Sequence, residues 1–167
     1  QYNCAVYDSY EALLADVDIV DICTPTNLHY PMVLQAAHAG KHIQCEKPIA
    51  LTVELGRAMI DACHNAGVRL FIGQTVRFSA EYRAARDVVA AGKIGKPCVI
   101  RLKRVSWHPF KATDNWFVDE ERSGGMIVDL MLHDYDYARW IAGNVTRVFA
   151  KSVRATQPDA PGDYALV

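Results

Sequence analysis

Apolar and polar positions along the chain alternate between two periods. Val17-Asp18-Ile19-Val20-Asp21-Ile22-Cys23 is a short β-branched run and predicts a strand. Before it, Asp8 or Ser9 can cap a short helix, with Glu11 in its first turn and Leu13 and Leu14 facing inward. After it, Thr24-Pro25-Thr26-Asn27 reads as a loop. Pro31 then opens a helix that Gly40 stops, with proline at the start and glycine past the end. His42-Ile43-Gln44-Cys45 predicts a second strand. Thr52 caps a helix reaching about Ala66, and Gly67 ends it. Val68-Arg69-Leu70-Phe71-Ile72 predicts a third strand. Strand, helix, strand, helix, strand with short loops implies parallel strands joined by right-handed crossovers, a doubly wound α/β sheet. Such sheets bind ligands beyond the carboxyl ends of their strands. The loops to watch are therefore 24–29, 46–48 and 74–78.

The pattern changes near residue 79. Ser79 can cap a helix running to about Ala91, with Gly92 beyond it. Residues 99–105 alternate, imperfectly, between apolar and basic, which suits a one-sided strand of an antiparallel sheet. Residues 106–123 form a long loop rich in aromatics. A strong helical stripe runs from Met126 to about Ala142, followed by Gly143. Strands are expected at 145–153 and from Tyr164 onward. The expected domains are thus 1–78 and 79–167, an α/β unit followed by an α+β unit.

Composition narrows the function. The 167 residues are 51% hydrophobic and 22% charged, a globular balance. Eighteen Lys and Arg stand against nineteen Asp and Glu, a formal net charge of -1. That removes the field of a general nucleic-acid binder or a polybasic membrane binder. No apolar run approaches the roughly 20 residues that span a bilayer. The five cysteines are odd in number and include no Cys-x-x-Cys pair, which fits a reducing, cytoplasmic setting.

Three clusters could carry chemistry. Asp129 and His133 are four apart on the expected helix, so a carboxylate would lie one turn from an imidazole and raise its basicity. The same spacing also describes an ordinary surface ion pair. A metal site at His133-Asp134-x-Asp136 is disfavoured, because adjacent helical residues point apart and no further ligand cluster is visible. Glu46-Lys47-Pro48 ends the second strand, where a lysine faces the ligand edge and Pro48 fixes the backbone. It also reads as a solvated loop. Thr24 through His29 offers polar side chains at the same edge, or simply a turn and a helix cap.

Taken together, these parts say more. Thr24-Pro25-Thr26-Asn27-x-His29, then Glu46-Lys47-Pro48, then Arg77-Phe78, then Gly124-Gly125-x-x-x-Asp129-x-x-x-His133-Asp134-x-Asp136 resembles the glucose–fructose oxidoreductase/inositol dehydrogenase family, the Gfo/Idh/MocA type. Order and spacing agree over essentially the whole chain. The resemblance implies a Rossmann NAD(P)-binding domain joined to a substrate domain built on a mostly antiparallel sheet. It implies hydride transfer between NAD or NADP and a CH–OH or ketone carbon of a sugar or cyclitol. By this resemblance Lys47, Asp129 and His133 are the catalytic residues. Thr24, Pro25, Asn27, His29, Glu46 and Lys47 would bind cofactor. Lys47, Arg77, Trp116, Asp129 and His133 would bind substrate. A homodimer or homotetramer is implied, with no nucleic-acid, membrane or metal partner.

Histidine suits proton acceptance from the hydroxyl, and a lysine ammonium suits the developing alkoxide. The chain departs from the family in lacking Gly-x-Gly-x-x-Gly and the residue that selects NAD or NADP, so an internal stretch of a longer protein is expected. Trp107, Phe110, Trp116 and Phe117 either wall a substrate pocket or pack against another part of the molecule. Two competing functions share the motifs: NAD-dependent glycoside hydrolysis through transient oxidation, and a non-catalytic sugar- or dinucleotide-sensing regulator.

Overall fold

Strand β1 (Ile19–Ile22) turns Val20 and Ile22 inward and leaves Ile19 and Asp21 exposed. In β2 (His42–Glu46), Ile43 and Cys45 are buried while His42 and Gln44 are exposed. The two-residue period thus aims one set of side chains at a single face. With β3 (Leu70–Gly73) these strands form a parallel sheet in the order β1-β2-β3. These relations come from a computed structural model, which describes residues 4–105, 116–117, 119–153 and 164–167.

Helices α2 (His29–His38) and α3 (Val53–Asn65) make the two crossovers and pack against each other, so both cover the same face of the sheet. Helix α1 (Tyr10–Asp16) joins them there: the Tyr10 hydroxyl donates to the Met32 carbonyl at 3.2 Å. Leu14, Ile22, Val33, Ile43, Cys45 and Met59 form the centre of the core. Ser9 caps α1 by accepting the Ala12 N–H, and Thr52 caps α3 by accepting the Leu55 N–H. Gly40 and Gly67 follow α2 and α3 with φ of +70° and +67°, a conformation that favours glycine. The other face of the sheet shows Ile19, Asp21, His42, Gln44 and Phe71 to solvent. Within this unit, then, only one side of the doubly wound arrangement is present.

Helix α2 begins two residues earlier than Pro31 predicts, because a 3-10 turn at Thr26–Leu28 leads directly into it. Pro31 still sits in the first turn, where its missing N–H costs nothing.

The chain divides into two compact units at Gly73–Gln74, not at residue 79. The reason is local: the 3-10 turn Thr75–Phe78 packs with the helices that follow it. In this second unit α4 (Ala80–Ala90) forms as expected, but the Ser79 side chain makes no capping bond. Tyr137 is buried, stands edge-on to Tyr82 with ring centroids 4.8 Å apart, and donates its hydroxyl to the Tyr82 carbonyl.

Three expectations fail here. Residues 99–105 lie in no ladder, and the 145–153 strand shrinks to β4 (Lys151–Val153), paired antiparallel with β5 (Tyr164–Leu166). A strand exists only through a partner, and alternation alone does not supply one. The expected single helix from Met126 to Ala142 is interrupted. A short α5 (Glu120–Ser123) precedes α6 (Gly125–Asp129), and α7 (Leu132–Ala142) follows. Between α6 and α7 the Met131 N–H reaches back five residues to Met126 O at 3.0 Å. That wider turn shifts the helical phase.

No helix among the described residues is long and apolar enough to cross a membrane. Burial and the neighbouring Glu46, Cys23 and Asp21 push the Cys45 thiol up to about 12 from 9.0. Burial similarly raises the Tyr10 phenol from 10.0 to about 12. Both groups hold their protons more tightly folded than unfolded, so their contribution to stability is full below pH 9 and falls as pH rises toward 12. Urea denaturation of the intact protein should therefore show stability declining across that range. Cys45→Ala should make the decline shallower, and an equal slope in the variant would remove Cys45 as its source.

Candidate active site

Parallel register brings the ends of β1 and β2 to one edge, with Ile22 opposite Cys45. The residues that follow, Thr24–Pro25 and Glu46–Lys47–Pro48, are therefore neighbours. His29 joins them. It is buried at the first position of α2, its Nδ1 lies 2.8 Å from the Pro48 carbonyl, and its Nε2 lies 3.0 Å from the Thr24 carbonyl. Both ring nitrogens are thus occupied by backbone. The Lys47–Pro48 peptide is cis. The Glu46 carboxylate accepts the Lys47 N–H at 3.2 Å and lies over Gly73, where a Cβ would sit 3.4 Å from Oε1.

At this edge Thr24, Pro25, Glu46 and Lys47 are half-buried and Asn27 is exposed. Hydroxyl, amide, carboxylate and ammonium groups of this kind can bond the ribose hydroxyls of a dinucleotide, and the resemblance to the family implies its nicotinamide end. Nothing in the sequence matches its pyrophosphate, since Gly-x-Gly-x-x-Gly is missing. The donor set therefore fits one end of the cofactor.

The second unit presents the other expected residues. Asp129 is the last residue of α6, and His133 is the second of α7. The wider backbone turn at Met126–Met131 falls between them. Gly124 and Gly125, at φ +79° and +70°, make the junction between α5 and α6: a Cβ on Gly124 would lie 2.7 Å from Val128 Cβ. The close approach allowed by the glycine pair is made here by the chain's own Val128. Buried Ser123 accepts the Gly125 N–H at 2.9 Å, and its Oγ stands 3.1 and 2.9 Å from the Phe117 and Asp119 carbonyls.

Asp134 and Asp136 are held by arginines. Arg77 meets Asp136 through two bonds of 2.7 and 2.6 Å, and Arg104 meets Asp134 through two of 3.0 Å. These bonds raise both guanidinium pKa values, against burial. The Arg77 and Arg86 guanidiniums lie 5.6 and 5.4 Å from the Trp140 ring centroid. Arg77, expected at the substrate, also fastens α7 through Asp136. Trp116 stacks on Phe117 with centroids 3.8 Å apart, while Trp107 and Phe110 lie outside the described residues. Among the described residues, no three His, Cys, Asp or Glu could hold a metal ion. Sequence reasoning missed Ser123 and Arg104. A serine before Gly-Gly is a turn signal, but no sequence spacing pairs Arg104 with Asp134.

Comparison with known proteins gives a consistent picture. Residues 1–74 match the model of an oxidoreductase family with an NAD-binding Rossmann fold, and residues 82–167 match the GFO/IDH/MocA C-terminal domain. The inositol 2-dehydrogenase of Rhizobium meliloti is 36% identical over 99% of this chain and 50% of its own length. A probable dehydrogenase from Thermotoga maritima superposes with a TM-score of 0.80 at 34% identity, over 92% of this chain and 46% of that one. The WlbA dehydrogenase from Bordetella pertussis, solved with NADH and UDP-GlcNAcA, gives 0.79 at 27% identity, over 95% and 47%. The chain spans half or less of the length of these relatives.

The arginine forks generate a stability prediction. Arg104→Leu strands a mostly buried Asp134 carboxylate and should cost about 1–2 kcal/mol in the intact protein, less than a fully buried pair would. Replacing both partners, Arg104→Leu with Asp134→Leu, should recover part of that loss. Urea midpoints of the three variants check this, and equal stability of Arg104→Leu and wild type would dismiss the fork.

Proposed function

The chain belongs to the Gfo/Idh/MocA oxidoreductase family, and on that footing we propose that the intact protein moves a hydride between NAD or NADP and a CH–OH carbon of a sugar or cyclitol. The observation that carries this is the shared edge of β1 and β2, where Lys47 and the Thr24–Asn27 stretch are set side by side. The inositol 2-dehydrogenase relative supports a polyol as substrate. The residues that would hold the nicotinamide end are Thr24, Pro25, Asn27, Glu46 and Lys47. When bound, the nicotinamide supplies the hydride acceptor.

The rest falls to this chain's side chains. Lys47 stabilises negative charge on the substrate oxygen as its proton leaves. His133 accepts that proton. Asp129, just before the turn that leads into α7, orients substrate and imidazole. Trp116 adds apolar wall. The free cysteines at 4, 23, 45, 63 and 98 suit a cytoplasmic protein. Exposed apolar residues on β4 and β5, Val153, Tyr164 and Leu166, suit a homodimer or homotetramer.

Two tests follow. With NAD+ and myo-inositol or a related polyol, Lys47→Ala should lower kcat/KM by roughly a hundredfold or more. His133→Asn should lower it by about 10²–10⁴-fold and remove the rise of kcat/KM with pH that a neutral base produces. Wild-type turnover in Lys47→Ala, or an unchanged pH profile in His133→Asn, would reassign the roles. Cleavage of a glycoside with no net NADH would move the protein to the hydrolase reading. For assembly, light scattering at micromolar concentration should give the mass of a dimer or tetramer, and a monomer would refute it.

A further inference from the structure

His29 stands among polar residues at the ligand edge, yet both its ring nitrogens face the backbone. It is 1% exposed. Its two nitrogens face two backbone carbonyls, Pro48 at 2.8 Å and Thr24 at 3.0 Å. Carbonyls only accept, so the ring must donate. A neutral imidazole serves one of them at a time and an imidazolium serves both. In neither form does a ring nitrogen point outward.

The bond to Pro48 matters because of what precedes it. Lys47 has a long, flexible side chain, and the backbone at its base sets where that side chain starts. On one side the Lys47 N–H is taken by the Glu46 carboxylate at 3.2 Å. On the other, the carbonyl of the very next residue is taken by His29. The Thr24 bond anchors the same ring two residues past the end of β1, five residues before its own helix start. The imidazole is thus a strut between the two crossover loops, and Lys47 sits at its far end.

We infer that His29 is a positioning residue for Lys47: the strut from the Thr24 carbonyl to the Pro48 carbonyl fixes the backbone from which the lysine reaches its target. Its catalytic consequence rests on the role proposed above for Lys47, while the strut itself does not. A displacement of about 1 Å in a catalytic group can cost 10²-fold in rate, so a slackened strut should register.

Two near-isosteric variants separate the bonds. In His29→Asn the amide nitrogen occupies the δ position that reaches Pro48, and in His29→Gln the ε position that reaches Thr24. Backbone hydrogen exchange over residues 46–52 of the intact protein, read by mass spectrometry without substrate, should quicken about tenfold or more in His29→Gln and clearly less in His29→Asn. With NAD+ and myo-inositol, kcat/KM should fall about tenfold or more in His29→Gln, with KM for NAD+ little changed, and His29→Asn should retain several-fold more. In a cycle with Lys47→Ala, adding His29→Gln should slow the enzyme no further.

Equal exchange in the Asn and Gln variants overturns the strut. Additive losses in the cycle overturn its action through Lys47. A raised KM for NAD+ at unchanged kcat overturns it too and makes His29 a cofactor contact. If Lys47→Ala alone changes nothing, the proposed function fails, and the exchange data still decide the strut. Because exchange needs no turnover, it decides equally if myo-inositol is not oxidised.

Discussion

Parallel pairing of β1 with β2, Ile22 opposite Cys45, is the constraint from which the ligand edge follows. Both strands then end at the same level, and both crossovers begin there. Residues 24–29 and 46–48, apart in the chain, thereby become neighbours. His29 converts that proximity into a fixed distance by bonding a carbonyl in each loop. The helices α1, α2 and α3 are needed for this only because they keep the sheet dry on one side, which holds the register: a one-residue slip would expose Ile22, Ile43 and Cys45.

The second unit solves a different problem, that of placing two polar residues around a bend. Nothing in residues 126–142 breaks a helix by propensity, since the stretch has neither proline nor glycine. Contacts from outside the stretch flank the bend. Before it, Gly124 accommodates Val128 and Ser123 accepts the Gly125 N–H; after it, the arginine forks tie Asp134 and Asp136 to segments well before them. Asp129 and His133 then fall on either side of the wide turn. Their neighbours in sequence, Asp134 and Asp136, are paired with arginines.

What was legible in the sequence follows the range of the forces involved. Ser9, Thr52, Gly40 and Gly67 mark helix ends through local bonds and local φ, and each stands where its chemistry predicts. The strands of the first unit could be read because burial imposes alternation on them. The strand expected at 99–105 could not be settled that way, because pairing depends on a distant partner. The site shows the same division. Lys47 and His29 were visible as polar residues at strand ends, but the task of His29 was not, since it depends on a carbonyl nineteen residues away. Arg77 could be named from the motif it shares with the family, but not its ion pair, because Asp136 lies fifty-nine residues on.

The central claim is that this edge receives the nicotinamide end of the cofactor beside Lys47. A crystal structure of the intact protein with NAD+ tests it directly. The nicotinamide ribose should lie against residues 24–27 and 46–47, with Lys47 Nζ within hydrogen-bonding reach of it and His29 still bonded to the Thr24 and Pro48 carbonyls. A cofactor seated away from these loops, or a Lys47 side chain turned from it toward solvent, would contradict the assignment.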